Sequence, residues 1–105
     1  MEKNNLTLRI KRKWLEEIVF GKKRIEYRDN TNFYAQRLVI TKGKEDVARD
    51  FDSVEFYCPI GSTGKNLRAE VKFKGLTYSE KLNQFEIHLG KIISHNLPEP
   101  KAKKK

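Results

Sequence analysis

Leu6-Thr7-Leu8-Arg9-Ile10-Lys11-Arg12-Lys13-Trp14-Leu15-Glu16-Glu17-Ile18-Val19-Phe20-Gly21-Lys22-Lys23-Arg24-Ile25-Glu26-Tyr27-Arg28 changes its hydrophobic period twice. Leu6, Leu8 and Ile10 recur every second residue, the spacing of a half-buried strand over Leu6 to Lys11. From Lys13 to Phe20 the period lengthens, and Trp14, Leu15, Ile18 and Val19 fall on one helical face with Glu16 and Glu17 outside. Gly21 stands where a helix C-terminus favours a left-handed residue. Alternation then resumes over Arg24 to Arg28, which predicts a second strand ended by the turn-rich Asp29-Asn30-Thr31-Asn32. A strand sorts alternate side chains to opposite faces. Ile25 and Tyr27 are therefore expected in the core, with Arg24, Glu26 and Arg28 together on the other face and Lys22 and Lys23 at its entrance.

Working outward, Phe33 to Ile40 reads as a helical turn that ends as a strand, and Lys44 to Phe51 as a short helix or a loop. Val54 to Cys58 alternates as a strand, stopped by Pro59 and the Gly61-Ser62-Thr63-Gly64 cluster. Ala69 to Lys74 is another strand, stopped by Gly75. The last runs from Gln84 to Ile93, with Phe85, Ile87 and Leu89 inward and Glu86 and His88 outward. Five or six short strands and one clear helix predict an α+β, mainly β chain: a small barrel or strongly curved sheet with helical additions.

At 105 residues the chain is one domain with a modest core. With 37% apolar and 35% charged residues, it fits a small globular protein rather than a disordered one. No apolar run approaches the roughly 20 residues of a membrane helix, and the first residues lack the apolar core of a signal peptide. Cys58 is the single cysteine, which excludes an internal disulfide and fits a reducing, cytoplasmic location; it reads as a small buried hydrophobe. Net charge is +9. Residues 98–105 carry +3 of it in a segment expected to be a disordered basic tail, so the body over 1–97 keeps +6. That excess favours an anionic partner, with nucleic acid foremost.

Within Gly21 to Arg28, four cations surround one carboxylate, a surface suited to a phosphate-bearing or polar, planar ligand. The bland alternative is an exposed ion-pair network, worth little. Arg9, Lys11, Arg12 and Lys13 form a second basic cluster, either a solvated face or a phosphate track. Among the aromatics Phe33, Tyr34, Phe56 and Tyr57, most belong in a core, but Tyr57 must point opposite to Phe56 and is a candidate base-stacking residue. Gly61-Ser62-Thr63-Gly64-Lys65 lacks the first glycine and the terminal hydroxyl of a phosphate loop. As an amide-rich loop it is still placed to border the site, lending the Ser62 hydroxyl or Lys65. His88 and His95 lack companions at ligand spacing, so no metal or cofactor is expected.

Gly21-x-Lys23-x-x-Glu26-x-Arg28, set after a strand and an amphipathic helix, resembles the GxKxxExR signature of ASCH domains, over most of residues 6–93. The resemblance implies a PUA-like fold, a small β-barrel flanked by helices, over residues 1–97. It also implies a cleft beside the signature that binds RNA or a modified nucleoside. Lys22, Lys23, Arg24, Glu26, Arg28, Tyr57, Ser62 and Lys65 are the residues this assigns to nucleic-acid contact. Some similar proteins are amidohydrolases that deacetylate N4-acetylcytidine with a Lys at the Lys23 position, a Thr where this chain has Glu26, and a Glu elsewhere. A carboxylate cannot replace an attacking alkoxide, so on the hydrolase alternative Lys23 would polarise and Glu26 would act as a base for water.

Overall fold

Nine elements follow from these patterns in a computed structural model that describes residues 4–60 and 65–99. They are β1 (Asn5–Arg9), α1 (Arg12–Val19), β2 (Ile25–Asp29), α2 (Asn32–Leu38), β3 (Val39–Lys42), β4 (Glu45–Ala48), β5 (Ser53–Pro59), β6 (Asn66–Ser79) and β7 (Gln84–His95). Five strands form one curled, half-barrel sheet in the order β1-β5-β6-β7-β2. Only β1 and β5 run parallel; β3 and β4 form a separate hairpin. The mainly β, barrel-like α+β architecture read from the sequence is the observed one.

The core fills the concave side. Leu6 and Leu8 of β1, Val54 and Phe56 of β5, Val71 and Phe73 of β6, and Phe85, Ile87 and Leu89 of β7 are all buried there. Leu15 and Ile18 of α1 are fully buried and close one side, and Leu38 ends α2 in the same cluster. Trp14, expected beside them, is 42% exposed. With only eight residues, α1 needs just Leu15 and Ile18 plus the flank of Val19 to reach the sheet. Trp14 lies outside that stripe, under the ammonium groups of Lys13 and Lys23.

Three further expectations change. Gly21 does not take a left-handed conformation. Its N–H and that of Lys23 both donate to the Glu17 carbonyl, at 3.1 and 3.2 Å, so the chain doubles back tightly over the helix end. A Cβ at Gly21 would lie 2.8 Å from that carbonyl oxygen and 2.5 Å from Glu17 Oε1. Gly21→Ala is therefore expected to cost about 1–3 kcal/mol as an overpacked contact, measurable as a lowered unfolding midpoint. Residues 45–48 are a strand, neither helix nor loop, because Gly43 at φ +64° turns the chain back to pair Ile40 with Val47. Gly75 does not stop β6. At φ +138° it sits in a run of register shifts through which the strand continues to Ser79.

No helix among the described residues is long and apolar enough to cross a membrane. Ser62 lies outside the described residues, as does the expected basic tail beyond residue 99.

Candidate functional site

The signature strand presents its faces the opposite way from the expectation. β2 is an edge strand whose one neighbour is β7, and its register sets Glu26 beside Ile87 and Arg28 beside Phe85. Directly paired residues share a face of the sheet. Ile87 and Phe85 face the core, so Glu26 and Arg28 face inward too; Glu26 is 7% exposed and Tyr27, expected inside, is 43% exposed. Polarity is tolerated at this inner position because the half-barrel is open beside β2, where charged groups can pair with one another at its mouth.

Glu26 is held from both sides. Its Oε2 accepts from Arg28 Nε at 3.0 Å and pairs with Arg28 Nη2 at 2.8 Å, while Oε1 lies 3.3 Å from Lys23 Nζ. Lys23 Nζ also donates to the Ile25 carbonyl at 2.8 Å and stands near the Trp14 and Tyr27 rings. Arg28 is the hub. Its Nη1 donates to the Tyr34 hydroxyl at 2.7 Å and its Nη2 to the Arg9 carbonyl at 2.8 Å. Through that last bond β2 reaches the end of β1 across the gap between the two edges of the sheet. Four of the five guanidinium N–H groups are thus engaged among the described residues, leaving one on Nη1.

Arg28 lines a cleft of about 550 Å³ with Tyr34, Cys58, Pro59 and the stretch Arg9 to Arg12. Here α1 begins, and its start is unusual. The N-terminal residue before it, Lys11, makes no side-chain cap, and the first turn holds no acid. A helix start carries free N–H groups and a partial positive charge that favour anions. This one instead displays exposed Lys11 and Arg12, of which only Arg12 has an acidic partner among the described residues, Glu16 at 2.9 Å. Like charge added to a positive helix end is unfavourable by itself, and it is relieved by an anion bound there.

The sequence-predicted residues divide accordingly. Lys23, Glu26 and Arg28 come together. Arg24 turns away, donating to the carbonyls of Ile18 near the end of α1 and of its own chain neighbour Lys23. Lys22 is exposed at the bend before β2. Tyr57 does point opposite to the buried Phe56, but its register neighbours are Arg9 and Arg68 on the outer face, and it does not line the cleft. Lys65 is exposed where the chain resumes after the undescribed segment, its carbonyl accepting from Ile60 N–H at 3.1 Å. Tyr34 is the residue that sequence reasoning undervalued: half-buried, it carries Arg28 on its hydroxyl and lies under the guanidinium at 5.4 Å. The signal available for it was its place in α2, one turn after a Thr31 cap that fixes the helix start. Among the described residues, no group of three or more His, Cys, Asp or Glu side chains converges as a metal site would need.

No curated protein and no solved structure matches this chain. A protein-family model, the ASCH domain, matches residues 8–102, from the last two residues of β1 through the signature to beyond β7. A match over nearly the whole chain, on a curled sheet with the Lys23–Glu26–Arg28 cluster at its mouth, places this protein in the ASCH domain family.

Proposed function

We propose that the protein is an RNA-binding module that admits a single-stranded segment, or one modified nucleoside within it, to the cleft at the start of α1. The observation that carries this reading is the uncapped helix start bearing Lys11 and Arg12 on a cleft into which Arg28 faces. Phosphate would take the free N–H groups and the two exposed cations. The remaining Arg28 N–H is left for a base carbonyl or a second phosphate oxygen. Glu26 serves by holding Arg28 and Lys23 in place, since both of its oxygens are occupied with them.

Fluorescence anisotropy with a labelled single-stranded RNA tests the reading. Each phosphate neutralised on a single strand contributes about 0.7 to the slope of log affinity against log salt. Lys11→Ala/Arg12→Ala is therefore expected to flatten the slope by about 1.4 and to weaken binding roughly 25-fold at 0.1 M salt. Unchanged affinity and slope would remove the cleft from RNA binding. In parallel, N4-acetylcytidine is expected to survive incubation with the protein. Turnover that disappears in Lys23→Ala would replace the binding module with the hydrolase.

A further inference from the structure

A second, larger concavity lies on the outer face of the sheet, where β6 and β7 bend. It is an open trough of about 710 Å³ bordered by Arg24, Lys74, Gly75, His88, Gly90 and Lys91. Its shape comes from the register. Val71 pairs with Ile92 and Phe73 with Leu89, so Gly90 and Lys91 together face the single residue Lys72. One step on, Phe73 pairs with Leu89 and Gly75 with His88, which leaves Lys74 as an extra residue. Bulges of this kind re-aim side chains that strict alternation would send elsewhere. Here they bring Lys74 and Lys91 to one depression.

The glycines keep it open. A Cβ at Gly90 would lie 3.1 Å from Lys74 Cγ and 3.1 Å from Lys72 Cβ, so any larger residue there would press on the Lys74 stem lying across β7. At the other end, Gly75 takes φ +138°, a conformation closed to ordinary side chains. His88 is fixed by Thr77, 2.7 Å from its Nε2, and the same hydroxyl donates to the neighbouring Glu86 at 2.7 Å.

Charge and chemistry select the occupant. Arg24, Lys74 and Lys91 border the trough, no carboxylate does, and none of the three has an acidic partner among the described residues. Arg24 is the signature cation that turned away from the Glu26 cluster, and among the described residues its guanidinium donates to main-chain carbonyls. Centres of protein–protein contact are anchored by large apolar or aromatic side chains. Ile25, Leu76 and Leu89 give the trough an apolar floor, but none of the large hydrophobic residues exposed among the described residues projects from it as an anchor. Cations on an open groove without such an anchor fit a phosphodiester backbone.

We infer that the β6–β7 trough is a second phosphate-binding track, over which RNA engaged at the cleft continues around the edge strand β2, with Arg24 beside the crossing. This rests on the RNA-binding reading of the cleft. The test is the salt dependence of binding of a labelled 20-nucleotide single-stranded RNA to the full chain. Lys74→Ala/Lys91→Ala is expected to flatten the slope by about 1.4, two phosphates' worth, and to weaken binding roughly 25-fold at 0.1 M salt. Lys42→Ala/Lys44→Ala, which removes the same charge from the β3–β4 hairpin, is expected to change the slope by less than half as much. An unchanged slope in the trough variant, or an equal change in the hairpin variant, overturns the track and leaves the cleft standing. A trough variant that weakens binding while Lys11→Ala/Arg12→Ala does not would keep phosphate binding at the trough but overturn the cleft, and with it the path from cleft to trough. A wild-type protein that binds no RNA overturns both.

Discussion

Glu26→Ala is expected to lower stability by about 3–5 kcal/mol, the usual cost of breaking a buried ion pair from one side. The Glu26 side chain is 9% exposed, Arg28 12% and Lys23 18%, so bulk water screens none of the three well. Truncation leaves two cations facing an apolar interior made by Ile87 and Phe85, with no anion between them. For a domain whose total stability is about 5–15 kcal/mol, that is a large share. With an m-value near 1.5 kcal/mol per molar in urea, the midpoint should fall by about 2–3 M. A fall of less than about 0.5 M would show that the cluster behaves as a surface network. Replacing the whole cluster, with Lys23→Met/Glu26→Leu/Arg28→Met, is expected to recover more than half of the loss, because well-packed apolar residues often match a buried ion network in stability. The same triple variant should bind RNA more weakly than wild type, because it loses the Arg28 guanidinium that faces the cleft, while the phosphate contacts of Lys11 and Arg12 remain. That pairing of outcomes would separate what the cluster does for the fold from what it does for the ligand.

Affinity for RNA is expected to fall about 600-fold between 0.05 and 0.5 M salt. Lys11 and Arg12 at the cleft and Lys74 and Lys91 at the trough supply four phosphate contacts, for a slope near −2.8 on a single strand. The slope itself discriminates. A value near −1.4 would restrict phosphate binding to one of the two surfaces, and a flat line would remove nucleic acid as the partner. Sequence changes in the RNA should move affinity far less than salt does, since contacts to phosphate carry no base information.

The period changes in the opening residues made β1, α1 and β2 legible, along with the burial of Leu6, Leu8, Leu15 and Ile18. Alternation in β2 was equally visible, but alternation does not say which set of side chains faces in. The apolar set, Ile25 and Tyr27, was the natural choice. The inward set turned out to be Glu26 and Arg28, because β2 borders the open mouth of a curled sheet and its register with β7 is set by Ile87 and Phe85. β4 gave no local strand signal: Glu45, Asp46, Val47 and Ala48 are all exposed, and pairing with β3 alone makes them a strand. The trough was beyond local reading, since it exists only where two strands fall out of step. The basic residues at the start of α1 were legible as charge, yet their meaning depends on the cleft that β5, α2 and Arg28 build around them.

The pairing of β2 with β7 carries a consequence for how the molecule is made. Asp29 meets Gln84 across 55 residues of sequence, so the motif-bearing segment leaves the ribosome long before its neighbour exists. At roughly 5–20 residues per second of synthesis, it waits several seconds with its hydrogen-bonding edge vacant. Lysines and arginines on such an edge discourage pairing with the wrong strand. Lys22, Lys23, Arg24 and Arg28 would thus guard the nascent chain before any of them meets a ligand.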